Sequence, residues 1–190
     1  MLVHGGAGGI GSATIQLASA LGVEVFTTVS SEEDRAFCRR LGANVAINYR
    51  EEDFVKVIKD KTDGQGVDLV LDIVGGDYIQ KNIDCLAQKG RLVNLYYLQG
   101  SKVQIDMMPV LVKNLILTGS LLRPQPLTVK AEIAAGIQQT VWPLFADGRV
   151  RAVVDQTFPL ERAADAHALI EARKHSGKIV LLTEYGQQTD

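Results

Sequence analysis

The chain has 190 residues, enough to bury a full core, and its 46% hydrophobic and 22% charged residues set it apart from disordered proteins. A net charge of −2 offers no basic field to neutralise a nucleic-acid backbone, so nucleic acid is not expected as a partner. No run of about 18 apolar residues is available to span a bilayer, so no membrane is expected either.

Short β-prone runs alternate with longer amphipathic ones, the pattern of βαβ units on a parallel sheet. Leu2-Val3-His4 reads as a strand stub, followed by glycines and a helix that ends at Gly22. Val23 to Val29 reads as a second strand, and Ser30 or Ser31 caps a helix whose first turn carries Glu32, Glu33 and Asp34. Val45 to Ile47 is a strand, Glu51 to Lys61 a helix, Val67 to Val74 a buried strand closed by Gly75-Gly76. Asp77 to Leu86 reads as a helix, Arg91 to Leu95 as a strand, and Leu115 to Leu122 as another, after an irregular segment around Pro109. A helix over Thr128 to Phe145 must bend or restart at Pro143. Val153 to Phe158, Glu161 to Arg173 and Lys178 to Leu182 form a final β-α-β unit, the coda, after the sheet is complete. The expected division is a dinucleotide-binding domain over 1–150, a C-terminal segment over 151–183 and a tail over 184–190.

The chemistry sits in Gly5-Gly6-Ala7-Gly8-Gly9-Ile10-Gly11, where Gly6, Gly8 and Gly11 match GxGxxG between a strand and a helix. In that motif the first glycine permits the tight turn, the second lets backbone approach a pyrophosphate, and the third lets helix pack on sheet. Unpaired amides at the helix start, aided by its dipole, then meet the diphosphate of a nicotinamide dinucleotide. An NAD site usually carries Asp or Glu at the tip of the second strand. Here the tip is Thr27-Thr28-Val29-Ser30-Ser31, leaving room for a 2′-phosphate, with Arg35 and Tyr49-Arg50 on the same side. NADPH is therefore favoured, with NADH possible. Val74-Gly75 and Leu95-Tyr96 close two further strands at the edge where open α/β sheets bind ligands.

Gly5, Gly9 and Gly11 also fit the short-chain dehydrogenase spacing, but no lysine stands four residues beyond Tyr49, Tyr78, Tyr96 or Tyr97, as a Tyr-x-x-x-Lys pair requires. His4, His167 and His175 are dispersed and none is spaced with a cysteine, so no metal site is expected. Cys38 and Cys85 lack CxxC spacing and read as buried free thiols of a reducing, cytoplasmic compartment. No catalytic residue can be named.

In several ordered segments the chain resembles the zinc-independent medium-chain dehydrogenases/reductases, specifically quinone oxidoreductases of the zeta-crystallin type. These are Val3 to Gly11, Leu41-Gly42-Ala43 with Asn48-Tyr49-Arg50, Leu71 to Gly76, Leu117 to Arg123 and Gly177 to Leu181. Lys81 to Leu86 and Ser120-Leu121-Leu122-Arg123 look most like the p53-inducible branch. The resemblance implies a Rossmann doubly wound parallel sheet, order 3-2-1-4-5-6, and hydride transfer from NADPH to quinones or other α,β-unsaturated carbonyls without zinc. It implies Gly8, Gly9 and Ile10 at the pyrophosphate and Ser30, Ser31 and Tyr49 near the 2′-phosphate, with Arg173 reaching the adenosine phosphate. Two departures stand out: Asp34 occupies a position where relatives usually carry lysine, and Tyr96 one where glycine is common.

Relatives of this kind begin with a GroES-like substrate domain, whereas only Met1 to His4 precede the glycines here. The expectation is a fragment whose coda would complete the absent domain, and which binds cofactor but turns over quinone negligibly. Two alternatives stay open: an enoyl-thioester reductase module of a polyketide or fatty-acid synthase, and a non-catalytic NADPH-binding module. Leu115 to Leu122, apolar and last in the sheet, is expected to pair with its twin in a homodimer.

Overall fold

The computed structural model describes residues 1–172 and 175–184. Strands β1 (Leu2–His4), β2 (Phe26–Val29) and β3 (Val45–Asn48) alternate with helices α1 (Gly9–Ala20) and α2 (Glu32–Arg40). After them come α3 (Phe54–Lys61), β4 (Val67–Asp72), α4 (Tyr78–Cys85), β5 (Leu86–Asn94), α5 (Met108–Lys113) and β6 (Ile116–Gly119). The six strands lie in the order β3-β2-β1-β4-β5-β6 with every neighbouring pair parallel, the doubly wound Rossmann arrangement that the family resemblance implies. Helices α6 (Leu127–Thr140) and α7 (Trp142–Ala146) follow, broken at Val141 because Pro143 cannot donate to a continuous ladder. The coda is β7 (Val154–Pro159), a 3₁₀ turn at Leu160–Arg162, α8 (Ala163–Glu171) and β8 (Lys178–Leu182). Its two strands form their own parallel pair.

A parallel sheet survives only when both faces are covered, and β1 shows how this sequence covers them. Successive side chains point to opposite faces. Leu2 joins one buried cluster with Phe26, Ile47, Val70, Phe54, Ile58 and Ile83, whereas Val3 joins the other with Ile15, Val25, Val29 and Cys38.

Several boundaries differ from the sequence reading for local reasons. Helix α3 starts at Phe54, not Glu51, because the amides of Glu51 and Glu52 both turn back to the Asn48 carbonyl while Asp53 caps the helix. The segment around Pro109 is helical rather than irregular: the proline stands in the first turn of α5, where a missing N–H costs nothing. Asn114, at φ 52°, ends that helix, and the Lys113 ammonium donates to the carbonyls of Ile83, Asp84 and Leu86 at the end of α4. Strand β2 begins at Phe26 rather than Val23, β5 begins at Leu86 rather than Arg91, and β6 stops at Gly119, short of Leu122.

One buried polar chain fixes the end of β1. His4 is fully buried, its ring edge-on to Phe54 and Tyr78 at 5.0 Å each. Its Nε2 stands 2.7 Å from Asn82 Oδ1 and its Nδ1 2.9 Å from Thr28 Oγ1. The carboxamide oxygen can only accept, which assigns the ring proton to Nε2 and makes the threonine hydroxyl the donor to Nδ1. The Gly5 amide in turn donates to that hydroxyl oxygen at 3.4 Å, so the chain reaches the first glycine of the turn.

Burial holds the His4 imidazole below its ordinary value of 6.5, so the folded state keeps the ring neutral and the unfolded chain takes up the proton first. Stability is then fully present above pH 6.5 and falls as pH drops from there toward the folded-state value, by at most about 1.4 kcal/mol per pH unit for one proton. Urea denaturation at pH 7.5 and 5.5 should show this loss, and it should shrink in His4→Gln.

A methyl group at Gly11 would overlap the Gly5 carbonyl oxygen and stand 2.5 Å from the Gly6 Cα, both backbone atoms with nowhere to go. Gly11→Ala should therefore cost about 1–3 kcal/mol or more. Gly136→Ala in α6, where nothing lies within 4 Å, should gain about 0.5–1 kcal/mol in the same denaturation assay.

Candidate dinucleotide site

The glycine run divides its labour differently from the bare motif. The left-handed turn falls on Gly5, at φ 70°, not on Gly6. Gly6 is required by packing inward: a Cβ there would overlap Thr27 Oγ1 and stand 2.8 Å from Cys38 Sγ. The amide of Gly6 bonds the Thr28 carbonyl and that of Gly8 bonds the Gly5 carbonyl, each at 3.0 Å. Gly8 then stands as the N-cap of α1 with no side chain capping it, which leaves the amides of Gly9, Ile10 and Gly11 without helical partners. Ile10 is exposed at this mouth.

Beside the turn lies a cavity of about 630 Å³ across the carboxyl ends of β1 to β4. Gly8, Ser30, Ser31 and Tyr49 line it, as does Arg50. Gly6, Gly9, Ile10 and Gly11 shape the turn and helix start without forming its wall. Arg35 does not line it: the guanidinium pairs with Glu32 at 3.0 Å and also with Glu52. Arg173 lies outside the described residues.

Val74, Gly75, Leu95 and Tyr96 are not in this wall. The Asp72 carboxylate, fully buried, accepts the amides of Val74 at 2.7 Å and Gly75 at 3.1 Å, and so shapes the loop after β4. Gly75 and Gly76 adopt φ values of 70° and 55°, and a Cβ on Gly75 would stand 2.7 Å from the Gly100 carbonyl oxygen. The close approach that these glycines permit is to the chain's own 97–100 loop. Leu95 donates its amide to the Asp72 carbonyl and Tyr96 is exposed.

Further residues at the cavity and turn come from the coda or from α2, and of these the sequence marks only Asp34, as a departure from relatives, and Lys178, within the Gly177 to Leu181 segment of resemblance. Asp155, His175 and Ser176 close the cavity from the C-terminal side, and Asp34 faces them from α2. Asp34 accepts from Ser30 Oγ at 3.2 Å and from Ser176 Oγ at 3.4 Å, while its amide donates to Ser31 Oγ at 3.1 Å. Lys178 lies over the helix mouth, its ammonium filling the space that a Cβ on Gly9 would need. Glycine at position 9 thus makes room for a cation beside the uncapped amides.

Backbone bonds hold the coda here. The Gly177 amide donates to the Ala7 carbonyl at 2.7 Å, pairing Gly8 with Gly177 as an isolated parallel bridge. The Gln16 side chain both donates to the Arg151 carbonyl and accepts its amide, each at 3.1 Å. Cys38 and Cys85 are buried and unpaired, and burial pushes both thiols up to about 12, which keeps them inert. Among the described residues no three His, Cys, Asp or Glu side chains converge in a way that fits a metal ion.

Comparison with known proteins agrees with this geometry. Residues 41–181 match the family model described as zinc-binding dehydrogenase. The chain is 35% identical over 189 residues to a 2-haloacrylate reductase of a Burkholderia species, covering 97% of this chain and 55% of that protein. It is 32% identical to a phenolphthiocerol/phthiocerol polyketide synthase of Mycobacterium tuberculosis, covering 95% of this chain and 8% of that protein. The crystal structure of Escherichia coli quinone oxidoreductase complexed with NADPH superposes with a TM-score of 0.82 at 32% identity, over 95% of this chain and 56% of that one. The chain thus spans about half the length of the 2-haloacrylate reductase and of the quinone oxidoreductase. Its sheet order, its glycine turn and the family match over most of its length together place it in the zinc-binding dehydrogenase family of medium-chain dehydrogenases/reductases.

Proposed function

We propose that this chain is the cofactor-binding portion of an NAD(P)H-dependent quinone or enone reductase, with the dinucleotide lying across the cavity and its diphosphate at the mouth of α1. The observation that carries this reading is the uncapped N-terminus of α1, at the switch point between β1 and β4 where the strand order reverses. Three backbone amides and the positive end of the helix dipole offer donors to a diphosphate, and the Lys178 ammonium adds a charge. Ser30, Ser31, Tyr49 and Arg50 border the place for the adenosine ribose. NADPH is supported as a ligand by the NADPH complex of the quinone oxidoreductase it resembles.

A bound reduced nicotinamide supplies a hydride to the electron-poor carbon of an α,β-unsaturated carbonyl or quinone. This chain's own residues bind and orient: they hold the diphosphate at α1 and leave the loops after β4 and β5 at the same sheet edge. Division into a 1–150 domain and a 151–183 segment follows the change from the six-stranded sheet to the separate β7–β8 pair. The buried free thiols favour a reducing cytoplasm. The second reading, an enoyl-thioester reductase, is favoured by the polyketide synthase similarity. Assay of the whole protein with a quinone and with an enoyl thioester, at equal NADPH, separates them by kcat/KM.

Titration of the purified chain with NADPH, followed by nicotinamide fluorescence, should saturate below millimolar concentration. Failure of both NADPH and NADH to bind at that level with folded material would remove the reading. Lys178→Met should weaken the complex about tenfold, equivalent to about 1.4 kcal/mol, while leaving the unfolding midpoint in place. We also propose a homodimer through β6, the sheet's outer strand, where Ile116 is 46% exposed and Leu121 and Leu122 beyond it are also exposed. Sedimentation should give a dimer mass for the wild type and a monomer for Ile116→Lys; a monomeric wild type would refute it.

A further inference from the structure

We infer that Asp34 sets the nucleotide preference of this cavity and that it admits NADH at least as well as NADPH. The inference rests on the dinucleotide reading above and narrows it.

Two of the groups expected to greet a 2′-phosphate, Ser30 and Arg35, are already engaged. A hydroxyl has one proton to give. Those of Ser30 and Ser176 give theirs to the two oxygens of Asp34, at 3.2 and 3.4 Å. Arg35, next in sequence and the residue that could have offset the Asp34 charge, is spent on Glu32 and Glu52 outside the cavity. Among the described residues the wall then carries three carboxylates, Glu33, Asp34 and Asp155, against a single guanidinium, Arg50. A phosphate monoester brings about −1.5 to −2 charges near neutral pH into that field. On α2 the cavity offers it the carboxylates of Glu33 and Asp34, which accept hydrogen bonds and do not donate them.

An unphosphorylated ribose meets the same wall on different terms. Its two vicinal hydroxyls are donors, and a carboxylate placed beyond the tip of the second strand accepts both. Dinucleotide sites commonly take that carboxylate from the strand tip, which here is Thr28-Val29-Ser30. Asp34 supplies it from the first turn of α2 instead, its backbone fixed by the Ser31 cap and its side chain held between β2 and the coda. Two serines hold the oxygens in place, so the acceptor is preorganised. The assignment therefore needs the coda in position, because Ser176 is one of the two.

Calorimetric titration of the full chain with NADH and with NADPH tests this directly. The expected result is an NADH affinity equal to or tighter than that for NADPH, and a shift of at least about tenfold toward NADPH in both Asp34→Asn and Asp34→Lys. Wild-type binding more than about threefold tighter to NADPH overturns the inference while leaving the dinucleotide reading intact. An unchanged ratio in folded Asp34→Asn overturns the role of Asp34. Binding of neither nucleotide to the wild type overturns both readings at once.

Discussion

The structure at the mouth of the sheet depends on one close approach, that of the Gly5 carbonyl and Gly6 backbone to Gly11. With no side chain at position 11, the first turn of α1 settles directly on the bend that leaves β1. The bend itself is held from below by the His4–Thr28–Gly5 chain and from the side by the Thr28 carbonyl bonding Gly6. The helix start is thereby fixed, and the amides of Gly9, Ile10 and Gly11 are left bare in a known direction. A histidine in this place contributes no proton chemistry to the site. It is a buried, neutral spacer whose two nitrogens tie the end of β1 to β2 and α4, at the cost of sensitivity to acid.

Around that fixed point the electrostatics divide into two zones. Over Gly9 stands a cation, Lys178, beside the positive end of a helix. Farther along, the wall turns acidic with Glu33, Asp34 and Asp155, relieved by Arg50. A ligand with a charged middle and an uncharged, hydroxyl-rich flank matches this sequence of potentials. Both zones draw on the coda, through Lys178 in one and Asp155 and Ser176 in the other. The C-terminal β-α-β unit is therefore part of the cavity wall, whatever else it packs against.

The element sequence and the glycine turn were legible because each follows from local periodicity or from a residue type with a fixed conformational meaning, whereas the sheet order came from the resemblance to the medium-chain dehydrogenases/reductases. The proline break before α7, the Ser31 cap and the buried thiols are of the same kind. Legibility failed where a residue's role depends on who reaches it in space. Arg35 looks like a phosphate ligand by position, but two glutamates claim it first. Gly75 looks like a ligand contact, but the 97–100 loop occupies its open side. Asp155, His175, Ser176 and Lys178 lie more than a hundred residues from the turn they adjoin, and no spacing rule connects them. The shift of the tight turn from Gly6 to Gly5 is subtler: both are glycines, and only the backbone angle separates a twist from a packing requirement.

The Gln16 carboxamide has a consequence of its own. It offers one donor and one acceptor to the single residue Arg151, as a neighbouring strand would, although it projects from a helix. A side chain acting as a rung of ladder holds the passing backbone at the residue whose N–H and C=O both face it. Sliding the later polypeptide by one residue along α1 would break both bonds together and carry Ser176 and Lys178 away from their stations. The amide on α1 thus works as an index pin, so that the same helix which carries the bare N–H groups also holds the chain that returns over it.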